Sequence, residues 1–256
     1  MSIFDDIFNV ASGIADIAKQ EAASRKIVKA AQNGSLQAVK SLVEQGADVD
    51  RCDGQGDTPL MQAARYGRTE IADFLIKNYA SVNRANRDGD TALIMAARGS
   101  SRVDIINALI NRGASADHTN HRGETALLAA LSGFSDAKTI GVLLAKTKNI
   151  DKKNYSGECA LGIAARRGLK DIVVQLIEKG ARLDQKDSYG RTPLEVAEKN
   201  GKSEIVALLQ QADKNIVQRI ANEKALHQNE IARAKQDGLR KLLGNGRKPP
   251  KPGQAA

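Results

Sequence analysis

Tryptophan is absent from this chain of 256 residues, and only four tyrosines and four phenylalanines supply aromatic rings. A single compact core of that length usually draws on more large rings, so the shortage points to small side chains and close contacts between helices. Cysteine is scarce too. Cys52 and Cys159 are too few for a disulfide framework, which makes a reducing, cytoplasmic setting the expectation. No apolar run reaches the roughly 18 residues that a membrane span requires. The N-terminus does not read as a signal peptide: Asp5 and Asp6 stand where basic residues belong, and its apolar residues are interrupted.

What the chain does have is basic charge, +9 in all, placed unevenly. Residues 1–24 carry four acids against the single base Lys19, whereas residues 213–256 carry ten Lys and Arg against four acids. The two ends are therefore unlike each other and unlike the long middle.

That middle repeats itself. Asp57-Thr58-Pro59-Leu60-Met61-Gln62-Ala63-Ala64 is followed by Asp90-Thr91-Ala92-Leu93-Ile94-Met95-Ala96-Ala97 and by Glu124-Thr125-Ala126-Leu127-Leu128-Ala129-Ala130-Leu131. Two further copies begin at Glu158-Cys159-Ala160-Leu161 and at Arg191-Thr192-Pro193-Leu194. Counted from the Thr or Cys, the spacings are 33, 34, 34 and 33, and Gly56, Gly89, Gly123, Gly157 and Gly190 each stand two residues earlier. The threonines suit helix N-caps, where the hydroxyl accepts an orphan backbone N–H. Pro59 and Pro193 suit the first helical position, which has no intrahelical N–H to lose. The alanine pairs let helices approach closely. A second apolar stripe follows each copy, as in Ile71, Phe74 and Leu75, and Gly46, Gly113 and Gly180 suit the left-handed residue after it.

Five registered copies of this pattern resemble the ankyrin repeat, a β-turn finger followed by two antiparallel helices. The resemblance covers residues 25–212 and counts six repeats, since residues 25–50 form a partial first copy without a finger. It implies a mainly α solenoid of helix-turn-helix pairs with short β-turn fingers, flanked by N- and C-terminal helices. The copies depart from the family where it commonly has His after Thr-Pro-Leu: Met61, Ile94, Leu128, Gly162 and Glu195 stand there, so the polar network of that His is missing. Cys159 replaces a capping Thr, and Tyr79 and Thr147 stand where Gly is expected after the second helix. One extra residue falls within Arg98–Val103 and another within Ser132–Lys138, and the repeat near 120–152 is the least regular, as a mobile point or through harmless drift.

Little in the chain has the spacing of a catalytic or cofactor site. There is no phosphate-binding Gly loop and no nucleotide fingerprint. Asp117, His118 and His121 share a predicted loop, where they are either weak metal ligands or a solvated finger tip, the plainer alternative. Cys159 lacks a nearby His and reads as a buried structural thiol. The expectation is a protein with no catalytic residues, no metal and no cofactor.

The family resemblance places partner contacts on a concave face made by the fingers and the exposed side of the first helices. By register, Asp57, Asp90, Glu124 and Glu158 form an acidic row beside the fingers, and Arg65, Arg98, Arg166 and Arg167 a basic row at the helix ends. Tyr66, Tyr155 and Tyr189 join them, as do Arg87 and Arg122 at finger tips. Tyr and Arg are favoured interface anchors. The plainer alternative is that the acids support the first turns of helices and the arginines are merely solvated. The partner-binding candidates are thus Arg65, Tyr66, Arg87, Arg98, Arg122, Tyr155, Arg166, Arg167 and Tyr189.

Two unlike ends complete the chain. Ile3, Phe4, Ile7, Phe8, Ala11, Ile14, Ala15 and Ala18 recur at helical spacing, so residues 1–24 form an amphipathic helix that caps the first repeat or docks elsewhere. Residues 213–243 read as a basic polar helix, and residues 244–256, with Arg247-Lys248-Pro249-Pro250, as a disordered basic tail. The function expected is a monomeric, non-catalytic module that binds a protein partner. Alternatives are nucleic-acid or anionic-surface binding through the basic C-terminal region, or a secreted effector or enzyme inhibitor built on the same stack. Without aromatics between its basic residues, the tail is a poor nucleic-acid site.

Overall fold

A computed structural model describes residues 3–99, 102–133 and 135–244. The basic tail expected from Asn245 to Ala256 lies outside them. Twelve helices follow one another among the described residues: α1 (Ile3–Asn33), α2 (Leu36–Glu44), α3 (Pro59–Tyr66), α4 (Thr69–Lys77), α5 (Ala92–Ala97) and α6 (Val103–Asn111), then α7 (Ala126–Ser132), α8 (Ala137–Lys146), α9 (Ala160–Arg167), α10 (Lys170–Glu178), α11 (Pro193–Lys199) and α12 (Ser203–Gly244). Contacts divide the chain into two units, residues 1–206 and 207–256.

Within the first unit the odd-numbered helices α1 to α11 pack side by side in one layer, and α2 to α10 in a second. The alanine pairs make this possible. Ala63, Ala64, Ala96, Ala97, Ala130, Ala164 and Ala165 are wholly buried between neighbouring first helices, with Leu60, Leu93, Leu127 and Leu161 beside them. Each repeat thus buries its face only against its neighbours, which makes the stack nearly one-dimensional. Thr58, Thr91, Thr125 and Thr192 cap their helices as the sequence predicts, each hydroxyl accepting the N–H three residues on.

Several departures from the repeat turn out to be filled by other chemistry. Cys159 does not forfeit its cap, because its sulfur accepts the Gly162 N–H at 3.4 Å. Met61 and Glu195, standing at two of the missing-His positions, complete capping boxes by accepting the N–H of Thr58 and of Thr192. The two residues found in place of Gly differ. Tyr79 adopts the left-handed conformation at φ 64°, while Thr147 ends α8 at φ −74° and bonds its hydroxyl back to Leu143 O at 2.8 Å.

The expected boundary at residues 24–25 is not a break. Helix α1 runs on from Ile3 through the first helix of the first repeat, and Ala23, Ser24, Ile27 and Val28 are buried on one continuous side. Ser24 fixes the following loop by accepting the Asp48 N–H at 2.9 Å. The side chains of the expected apolar stripe, up to Ala15, lie outside the described ones, and Ala18 is exposed. Likewise α12 starts as the second helix of the last repeat and continues to Gly244 without interruption at residue 213.

Candidate partner-binding face

The fingers owe their shape to residues that the sequence reading passed over. Asp53, Asn86, Asn120, Asn154 and Asp187 recur at the repeat spacing, four residues before the row Asp57, Asp90, Glu124, Glu158 and Arg191. In each finger the side-chain oxygen accepts two backbone N–H groups, two and four residues ahead, at 2.8–3.0 Å. This is the Asx turn, which suits Asp and Asn because their short side chains mimic a backbone carbonyl. Consecutive fingers are then joined by backbone: Arg87 N–H to Gln55 O at 3.1 Å, His121 to Asp88 at 2.9 Å, Tyr155 to Arg122 at 3.0 Å and Ser188 to Ser156 at 3.2 Å. The finger glycines permit that closeness; a Cβ on Gly157 would stand 2.7 Å from Ser188 N.

Side chains add a buried link at the first two junctions. Asn86 donates its amide to Asp57 and Asn120 to Asp90, each at 2.7 Å. Between these repeats, asparagine thus supplies polar links of the kind that the missing His network would have given. Asn154 instead turns its amide on Glu158 of its own finger, at 3.0 Å. A parallel set joins the outer loops, where Asp50, Asn83, Asp117 and Asp151 accept N–H groups of the next repeat. Asp117 is thus engaged by Lys148, and His118 reaches Gly89 O at 2.9 Å, so the loop considered for a metal is tied into the stack.

The acidic and basic rows are not two independent stripes. Arg65 pairs with Asp57, Arg98 with Asp90 and Arg166 with Glu158, each eight residues along the same repeat. Arg98 also reaches Glu124 of the next repeat at 2.8 Å, and Arg122 joins that group by a 3.1 Å contact to the same carboxylate. Burial alone would raise the Asp90 carboxyl, but hydrogen bonds from Arg98 and Asn120 overcome it and hold it below its ordinary value. Glu124 is held down in the same way, against burial, by Arg98 and Asn120. Arg167 donates to Leu131 O of the preceding repeat at 2.7 Å, and the Tyr66 hydroxyl accepts from Gln32 of α1 at 3.3 Å.

Among the candidate residues, then, Arg98 and Arg167 are half-buried in the stack, and Arg65, Arg122 and Arg166 are exposed but paired. Tyr66 is 42% exposed. Tyr155 and Tyr189 stand out at 80% each, on adjacent fingers. The Tyr155 ring lies over Gly123 of the finger before it, and the Arg191 guanidinium stacks on Tyr189 at 4.6 Å. Arg87 is exposed on its finger. Two large exposed rings thus stand on adjacent fingers beside arginines that are already paired with carboxylates.

Comparison with known proteins agrees with this architecture. A family model described as ankyrin repeats matches residues 27–120, 96–187 and 127–219. No curated protein matches the sequence at a significant level. Among solved structures, the immunity-protein chain in the complex of the predatory endopeptidase Bd0816 from Bdellovibrio bacteriovorus with immunity protein Bd3460 is similar at a TM-score of 0.65 and 34% identity. That likeness covers 73% of this chain and 98% of the other. Matched from residue 27 to residue 219, and 34% identical to a relative covered almost end to end, the chain belongs to the ankyrin-repeat family of protein-interaction modules.

Proposed function

We propose that this protein is a non-catalytic inhibitor of an endopeptidase, acting as an immunity protein that covers its partner with the finger face. The observation that carries this is the likeness to the immunity-protein chain, which extends over 98% of that chain at 34% identity. The chemistry of the face supports it. Asp90, Glu124 and Asp187 are each occupied in ion pairs, and burial pushes the Cys159 thiol up, away from the nucleophilic thiolate. Such groups hold a surface in shape and leave none poised for acid–base work. Tyr155 and Tyr189 serve as the anchors, Arg87 as a free arm, and Arg65, Tyr66, Arg98, Arg122, Arg166 and Arg167 as the frame around them. The cytoplasm suits the two free thiols, Cys52 and Cys159.

The test uses the Bdellovibrio endopeptidase as probe. Mixed with one equivalent of this protein it should elute as a one-to-one complex and lose peptide-bond hydrolysis. Tyr155→Ala/Tyr189→Ala, with helicity unchanged, should weaken the complex at least tenfold, the size expected for two anchor residues. Full hydrolysis in tenfold excess of inhibitor, with no complex on the column, would overturn the proposal.

A further inference from the structure

Gly162 lies inside α9, where glycine weakens a helix relative to alanine. Nothing in the fold requires it. Its φ is not in the left-handed range, and a Cβ added there would meet only the Cys159 sulfur, at an ordinary 3.6 Å. The three preceding repeats fill this register with Met61, Ile94 and Leu128, each no more than 1% exposed. Only in the repeat of α9 does a notch stand where its predecessors bury a side chain.

The notch opens into a cavity of about 40 Å³ between α9 and α11. Cys159, Pro193 and Val196 line its apolar side. Its rim carries two ion pairs already closed on themselves, Glu158 with Arg166 and Asp187 with Arg191. Gln185, also in the wall, is tied down by donating its amide to Asp151 O at 3.1 Å, with its Oε1 closed off from solvent. A water needs roughly 10–15 Å³ of such space, so the cavity accepts the tip of a side chain and not a whole ring. With the rim charges matched and one wall apolar, an ion gains little there, and the tip of a small neutral side chain fits the space.

We infer that the notch over Gly162 receives the tip of one small neutral side chain of the endopeptidase, and so sets which peptidases this protein accepts. This rests on the proposed immunity role and names the position in the face that reads the partner. The test compares Gly162→Ala, Gly162→Leu and Val196→Ile, measuring thermal unfolding and affinity for the Bdellovibrio endopeptidase. Gly162→Ala should raise the unfolding midpoint, as expected if the fold itself does not need the glycine. Gly162→Leu, which fills the notch as Leu128 does, should leave the midpoint at or above wild type yet weaken binding at least tenfold. Should Gly162→Leu fail to fold, Val196→Ile decides, since it narrows the same cavity from the opposite wall and should weaken binding severalfold. Wild-type affinity in folded Gly162→Leu, or in Val196→Ile if that variant must decide, would overturn the notch and leave the inhibitor role standing. An inhibitor role that is itself wrong shows differently, as wild-type protein that does not bind.

Discussion

Tyr79 keeps a backbone angle that side chains avoid, φ 64°, while its ring is 87% exposed and repays nothing in packing. The equivalent residues Gly46, Gly113 and Gly180 adopt the same conformation without a Cβ to strain it. Tyr79→Gly should therefore stabilise the stack by about 1 kcal/mol, the usual size of a left-handed penalty for a bulky residue, read as a higher urea midpoint. Arg98 is the opposite case. It holds the buried Asp90 with two hydrogen bonds and Glu124 with a third. Arg98→Ala should cost about 2 kcal/mol, because the buried Asp90 carboxylate loses its closest cation and keeps only the Asn120 amide and a 3.8 Å contact to Arg122. Arg166→Ala breaks a pair in which both side chains meet water and should cost less than about 1 kcal/mol. Equal losses in urea unfolding for these two arginines would contradict the difference in burial.

At the scale of elements, the helices were legible and their junctions were not. Threonine caps, alanine pairs and glycines announce themselves because each acts within a few residues of its own position. The pairing of the two charged rows required knowing that a finger residue and a helix end eight positions later face each other, which neither the helical nor the strand period says. The Asx positions were visible as a register of Asp and Asn at 53, 86, 120, 154 and 187, yet their meaning depends on a turn that only the fold displays. The seams at residues 24 and 213 were misleading because charge balance changes there while the helix does not. The junction around Asp90 and Glu124 also carries a pH dependence. Both carboxyls lie below their ordinary values in the folded chain, so the unfolded chain takes up protons first. The stability they contribute is complete at neutral pH and is lost as the pH falls below about 4. Thermal melts from pH 7 to pH 3 should show this fall, and Asp90→Asn should flatten part of it.

For the whole molecule, a stack bonded only between neighbours divides its labour along its length. The proposed anchors lie in residues 155–189, far from the basic C-terminal region in sequence. Removal of residues 213–256 should leave endopeptidase affinity within about twofold if that region makes no contact, and titration calorimetry of the truncated chain measures it directly. The competing assignment, anionic binding through that region, predicts association of the full chain with duplex DNA at low salt, where phosphate contacts are strongest. No DNA binding is expected under those conditions, and a fluorescence-anisotropy titration checks it.

The Asx turns have one more implication. Every finger closes on its own main chain through a single Asp or Asn, and the tip side chains take no part in that closure. Tyr155, Ser156, Ser188 and Tyr189 are thus free to be exchanged one at a time while the scaffold beneath them keeps its form. A lineage of such proteins can follow a changing target by altering its fingertips alone, without passing through unfolded ancestors.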